Sequence, residues 1–381
     1  MFDARFGKKL SLKRRQGLYR DPPRVESRTG KYLRIEGRTV LNFSANDYLG
    51  LGTSESLAKR VARHFRHHGS SASSSRLVCG NHDVINRAEE AYARYFGYEA
   101  ALFFPSGYQA NMALISTLFE KGDTVLYDKH IHASAVTGLR LSLANRFGYN
   151  HNAISHLEKR LVSKKTDKTA VLTESLFSMD GDLLNVSALE KLKKVWGFLA
   201  VVDEAHAFGA MGKGGRGIAG RVADVAVGTF GKALGLFGAF ILLPRKMKDY
   251  LINYAPALIY STTLPPAHAA SAVDLLEFIE ESDGARKALD DISRIMKEKL
   301  RQSGFKVGGD AHIIRLEIGD EETAANISKT LLEKGCFVFS ARYPTVPLGQ
   351  AILRIGMSAL HDEKDVATFV DTLKETMGHM P

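Results

Sequence analysis

Cysteine is scarce: Cys79 and Cys336 are the only two in 381 residues. So few exclude a disulfide framework and a cysteine-rich zinc site, and both thiols are expected to be inert. No apolar run approaches the roughly 20 residues that span a bilayer. The opening "MFDARFGKKLSLKRRQ" also lacks the apolar core of a secretory leader. These absences predict a cytoplasmic protein with no membrane partner.

A phosphate loop is missing too. Read alone, "VVDEAH" (Val201 to His206) would suit the magnesium-binding strand of a nucleic-acid-dependent ATPase, which also needs G-x-x-x-x-G-K-[ST]. Each Gly-Lys pair fails that test: Lys8 is followed by Lys9, Lys31 by Tyr32, Lys213 by Gly214 and Lys232 by Ala233. "GKGGRG", Gly212 to Gly217, satisfies the dinucleotide pattern G-x-G-x-x-G, but "EAHAFGAM" before it is no strand. A flexible glycine loop is expected there, and neither an ATPase on nucleic acid nor a nicotinamide enzyme.

What is present is ordinary in bulk, with 45% hydrophobic and 25% charged residues. The length exceeds what one core usually reaches, so more than one domain is expected. A formal charge of +10 favours an anionic partner, though much of it lies in Lys8, Lys9, Lys13, Arg14, Arg15, Arg20 and Arg24, expected to form a solvated arm.

Strand-length apolar runs "AALFFPS", "DTVLYD", "TAVLTES", "GFLAVVDEAH", "DVAVGTFGK" and "GAFILLP" alternate with amphipathic helical stretches. That alternation predicts an α/β fold, a mostly parallel sheet with helices on both faces. After about residue 265 two long helices precede "AHIIRLEIG", another helix, the strand "CFVFSARY" and a last helix. The expected division is an N-terminal segment 1–45, a large domain 46–265 and a smaller α+β C-terminal domain 266–381.

Ligands of open α/β sheets sit at the carboxyl ends of strands. There lie Ser106 and Gly107, His130 and His132, Ser178, Asp203 and His206, and Thr229 and Lys232. Taken singly, a lysine is usually solvated, a strand-end aspartate often caps a helix, and Ser106-Gly107 makes a turn. Together they suit pyridoxal 5′-phosphate. Lys232, between Gly231 and the apolar run that follows, supplies an amine for an imine. Asp203 supplies an acid partner for the ring nitrogen, and "PSGYQAN" opening a helix supplies amides for a phosphate.

At these residues the chain resembles the α-oxoamine synthases, fold-type I pyridoxal phosphate enzymes that condense an amino acid with an acyl thioester and lose carbon dioxide. The resemblance runs nearly end to end, through "NFSANDYLGL", "SSSRLVCGNH", "FPSGYQANMALI", "HIHAS", "TESLFSMDGD", "VVDEAHAFG", "GTFGKALG" and "RYPTVPLGQAILRI". It implies that Lys232 is the Schiff-base lysine and proton abstractor, that Asp203 holds the ring nitrogen and that His132 stacks on the ring. Ser178 and His206 would lie near the ring hydroxyl. Gly107 and Tyr108 would offer amides, and Thr229 its hydroxyl, to the phosphate. Asn46 would lie near the substrate, and Arg354 would bind the amino-acid carboxylate.

The resemblance also implies a homodimer with its site at the interface. Members that join pimeloyl thioester to L-alanine for biotin synthesis, giving 8-amino-7-oxononanoate, must hold a distal carboxylate. Arg20 and Arg342, with Thr345 close by, stand where that subgroup places such groups. The acyl donor would be carried on acyl carrier protein or coenzyme A. The alternatives are a glycine- or serine-using member with another acyl group, or a catalytically silent subunit, although the latter would be expected to lose Lys232 or Asp203. Three departures stand out: Ala45 for a commoner serine, a serine-rich turn "GSSASSSRLV" expected to be stiffened, and Phe208, expected to narrow the site.

Overall fold

A computed structural model describes residues 2–378; Met1 and 379–381, the outermost positions of the expected first and last domains, lie outside the described residues. The described chain forms two compact units. The larger comprises 54–177 and 183–286; the smaller comprises the residues up to 53, 178–182 and those from 287 onward.

The larger unit is built on a seven-stranded sheet in the order Ala100–Phe104, Ala239–Leu243, Val225–Thr229, Leu199–Asp203, Thr169–Glu174, Thr124–Asp128, Asn145–Tyr149. Only Ala239–Leu243 runs against its neighbours; the remaining pairs are parallel. Every residue of Ala100–Phe104, Thr169–Glu174, Val225–Thr229 and Ala239–Leu243 is buried, as strands covered on both faces require. All six expected strands are present. The seventh, Asn145–Tyr149, has the polar sequence "NRFGY" and a partly exposed edge position, so it carries no apolar signal. Helix Pro266–Glu280 packs on Glu55–His68 and Asp83–Phe96 within this unit, which runs on to Arg286, past the expected border at 265.

Tyr92, Phe96, Phe103, Phe208, Phe230 and Phe240 form an aromatic cluster in its core. Phe208 is 2% exposed, with its ring centroid 4.5 Å from that of Phe96. The expectation that it narrows the site is therefore corrected: it is a core side chain, accommodated because Gly228 has no Cβ. In the serine-rich turn, Ser73 keeps a left-handed φ of 51°, a conformation glycine adopts without strain. "GKGGRG" is a loop with a short turn at Lys213–Gly215, and a Cβ on Gly212 would stand 2.0 Å from the Gly217 carbonyl oxygen. Glycine is needed there for the chain to return on itself.

The smaller unit holds two four-stranded sheets. One is the meander Val25–Thr29, Tyr32–Ile35 and Arg38–Asn42, extended in parallel by Cys336–Phe337. The other orders Val307–Gly308, Ile313–Gly319, Ala351–Gly356 and Phe339–Ala341, all antiparallel. The single strand expected at "CFVFSARY" is thus two, split at the buried Val338 and shared between the sheets. The N-terminal segment shares this unit with the C-terminal residues, and its basic arm is a helix, Phe2–Arg15, with no buried residue. Among the described residues no helix is long and apolar enough to cross a membrane.

Candidate active site

In the larger unit the loops after five strands surround a cavity of about 190 Å³. Seven residues expected to hold the cofactor line it: Gly107, Tyr108, His132, Asp203, His206, Thr229 and Lys232.

After Ala100–Phe104 the chain turns into helix Gly107–Leu118. Ser106 caps it, its hydroxyl accepting from the Gln109 amide at 3.2 Å. The amides of Gly107 and Tyr108 thus stand in the first turn, where no intrahelical acceptor exists and the helix dipole is positive. Thr229 ends its strand with its hydroxyl donating to Gly238 O at 2.9 Å and accepting from Gly231 N at 3.1 Å. Offering its proton to a phosphate requires the hydroxyl to turn from Gly238.

Lys232 Nζ lies 2.7 Å from His206 Nε2. Asp203, at the end of Leu199–Asp203, accepts from Ala205 N at Oδ1 (2.9 Å) and from Asn111 Nδ2 at Oδ2 (2.7 Å). Its neighbour Glu204 points the other way. Burial raises its pKa against the bonds it accepts from Ser175, Ala219 and Ile218, which pin the glycine loop. His132 precedes helix Ala133–Leu141, and its Nδ1 receives the Ser134 amide at 3.2 Å and meets Ser134 Oγ at 2.7 Å. Desolvation lowers the His132 pKa more than the Asp203 charge raises it, and Lys232 lowers it further.

Asn111 and Ser134 were not among the residues singled out from sequence. The available signal was spacing: Asn111 follows Gly107 by four residues, hence on the same helix face, and Ser134 follows His132 by two at a helix start.

Ser178, Asn46 and Arg354 fall in the smaller unit. Arg354, 5% exposed, donates from Nε to Ser178 O at 2.6 Å and from Nη2 to Asn46 Oδ1 at 3.1 Å. Its Nη1 edge remains for a planar anion. Tyr48 OH also donates to Asn46 Oδ1, at 3.0 Å, and burial raises its pKa although Arg354 opposes this. Arg342 donates to the Gly17 carbonyl. Desolvation lowers its pKa, and the nearby Arg20 charge adds to that. Thr345 is exposed beside it, its amide bonded to Arg342 O at 2.9 Å.

An amine, a carboxylate held by two donors and a helix N-terminus around one cavity match the three polar ends of pyridoxal phosphate: its carbonyl, ring nitrogen and phosphate. The residues present fit that group.

Residues 38–373 match the family described as aminotransferase class I and II. The 8-amino-7-oxononanoate synthase of Geobacter sulfurreducens is 38% identical over 366 residues, 94% of either chain. Among solved structures, serine palmitoyltransferase of Sphingomonas wittichii superposes with a TM-score of 0.92 at 28% identity, covering 100% of this chain and 98% of its own. A serine palmitoyltransferase from S. paucimobilis, solved with bound PLP-myriocin aldimine, gives 0.91 at 26% identity, covering 97% of this chain and 96% of its own.

Proposed function

The chain belongs to the aminotransferase class I and II family, and on that premise we propose that it is an α-oxoamine synthase joining L-alanine to a pimeloyl thioester. The products are 8-amino-7-oxononanoate, carbon dioxide and the free thiol carrier, in biotin synthesis. The name borne by relatives such as that of G. sulfurreducens supports the reading. The observation that carries it is the gathering of Lys232, Asp203, His132 and the helix start at Gly107 on one cavity.

Pyridoxal phosphate, when bound, supplies a carbonyl that captures primary amines and a ring that stabilises negative charge beside the amine. The protein's own groups do the rest. Lys232 Nζ, steadied by His206, takes the proton from the α-carbon of alanine and returns one at the end. Asp203 would keep a proton on the ring nitrogen by accepting a hydrogen bond from it, its carboxylate held in place by Ala205 and Asn111. Gly107 and Tyr108 hold the phosphate through their amides. Arg354 takes the amino-acid carboxylate at Nη1, with Asn46 fixing the guanidinium. Arg342 and Arg20 take the distal carboxylate of the pimeloyl chain.

The same reading makes the protein a cytoplasmic homodimer. Leu77, Val78 and Tyr260, which are 70%, 78% and 83% exposed, lie within three residues of the bridged pair Ser75 and Thr262, and exposed apolar side chains there suit a second copy. The basic helix Phe2–Arg15 suits an acidic acyl carrier protein as thioester donor.

The likeness to serine palmitoyltransferase favours a second reading, a serine-using enzyme with a long alkyl donor. Arg342 and Arg20 oppose it, because an alkyl chain offers them no counter-charge. The experiment offers pimeloyl thioester with L-alanine, glycine or L-serine to the purified, pyridoxal-phosphate-loaded protein and identifies products by mass. Alanine alone should give 8-amino-7-oxononanoate; preference for serine, or refusal of pimeloyl, would overturn the substrate assignment.

A further inference from the structure

Four side chains in the larger unit form an unbroken hydrogen-bonded series from His132 through Ser134 and Asn111 to Asp203. Its proton directions follow from chemistry alone. Asp203 as a carboxylate only accepts, so the Asn111 atom 2.7 Å from its Oδ2 must be the amide nitrogen. The second Nδ2 proton goes to Ser134 Oγ at 3.1 Å. A backbone N–H only donates, so His132 Nδ1, 3.2 Å from Ser134 N, must be an acceptor. The Ser134 hydroxyl, receiving from Asn111, then donates its own proton to that same Nδ1 at 2.7 Å. Neutral imidazole with an accepting Nδ1 carries its proton on Nε2. Asn111 is 4% exposed and Ser134 0%.

We propose that Asn111 and Ser134 are positioning residues that lock His132 as the Nε2–H tautomer while the same carboxamide fixes Asp203. One side chain thereby sets two groups, one expected on the face of the cofactor ring and one at its edge. The cofactor placement rests on the reading above, whereas the tautomer is a property of the chain itself. The functional consequence is directional. His132 enters the reaction as a hydrogen-bond and proton donor from Nε2 and not as a base through Nδ1. A proton arriving at Nδ1 would face the Ser134 amide, which cannot reverse without opening the first turn of helix Ala133–Leu141.

The test is a long-range proton–nitrogen correlation spectrum of the full chain labelled with ¹⁵N-histidine, recorded with and without pyridoxal phosphate, with His132 identified by loss of its signals in His132→Asn. The expected result is a bare Nδ1 and a protonated Nε2 at neutral pH in both forms. An Nδ1–H tautomer or an imidazolium there would overturn the proposal. In Asn111→Leu, similar in size but without donors, the Ser134 hydroxyl is no longer obliged to donate to Nδ1 and can accept from it, so only the Ser134 amide still opposes the Nδ1–H form and a fraction of that tautomer should appear. Its kcat should fall by up to about a hundredfold, the scale of a small misplacement, with the KM for the amino acid nearly unchanged. Ser134→Ala should do the same to a lesser extent, and Ser134→Thr, which keeps the hydroxyl, should recover. Unchanged tautomer and kcat in both Asn111→Leu and Ser134→Ala would overturn it. If the tautomer is as expected and pimeloyl thioester is refused, the substrate reading fails and this one stands.

Discussion

Lys232 Nζ lies 2.7 Å from His206 Nε2. Whichever of the two nitrogens donates, the contact braces the amine in place. Lys232→Ala should abolish condensation and the borohydride-reducible link to the cofactor, read by the mass of the peptide containing residue 232. Activity like that of the wild type in this variant would remove Lys232 from the mechanism. His206→Ala should keep the link and lower kcat roughly ten- to hundredfold, the loss expected when a reacting group is no longer held in place.

Gly228 sits where two rings meet. A Cβ there would stand 2.3 Å from Phe240 Cζ and 2.7 Å from Phe208 Cδ2. Gly228→Ala should destabilise by about 1 to 3 kcal/mol, as overpacking of a dense core does, measured as the shift of the urea midpoint. Adding Phe240→Leu should return part of the loss, since the two sites share one space.

Glu89 is fully buried between two cations. Lys248 Nζ lies 2.6 Å from its Oε2, Arg76 Nη2 3.2 Å from the same oxygen, and the Phe103 amide 2.9 Å from Oε1. Removing the anion leaves both cations without a counter-charge, so Glu89→Gln should cost about 3 to 5 kcal/mol. Lys248→Met should cost less, because Arg76 still balances the carboxylate. Equal losses in equilibrium denaturation would contradict this account.

The parts of the fold that were legible in the sequence are those where burial on both faces leaves continuous apolar runs, such as "AALFF" and "AFILL". Asn145–Tyr149 was not, because an edge strand needs only one neighbour and half its surface meets solvent. The break at Val338 is equally silent, since it depends on two sheets whose other strands are distant in sequence. Lys232 and Asp203 could be found because strand ends concentrate chemistry. Asn111 carries only a spacing signal, four residues after Gly107, because its bonds to Asp203 and Ser134 exist only after strands that are not neighbours have been assembled into one sheet. Phe208 misled for a related reason: its surroundings are set by Gly228 and Phe96, neither of them near it in the chain.

His361 gives the stability a pH dependence of known sign. Its ring is buried against Phe43, its Nδ1 takes the Ser358 amide at 3.0 Å and its Nε2 meets Asn42 O at 3.1 Å. Burial pushes its pKa down to about 4, although Asp365 and the Asn42 carbonyl oppose this. The folded state thus refuses a proton that the unfolded chain accepts. This contribution is fully present above pH about 6.5, the unfolded value, and is lost as pH falls from there through about 4. The denaturation midpoint should drop between pH 7.5 and 5, and the drop should shrink in His361→Phe; an identical drop in both would assign it to other groups.

Arg342 offers the sharpest test of the acyl pocket. It donates to the Gly17 carbonyl; partial desolvation and the nearby Arg20 charge lower its pKa, against the opposing charge of Glu321. A pair of neighbouring cations gains from an anion placed between them, and charge-assisted hydrogen bonds of this kind are worth about 1.5 to 3 kcal/mol. Arg342→Met should therefore raise the KM for a pimeloyl thioester roughly ten- to hundredfold with little change in kcat, since the reacting atoms are not its partners. A heptanoyl thioester, the same length without the distal carboxylate, should be used poorly by the wild type and no worse by the variant. If both donors lose equally, Arg342 shapes the unit rather than reading the carboxylate, and the specificity must come from elsewhere in the chain.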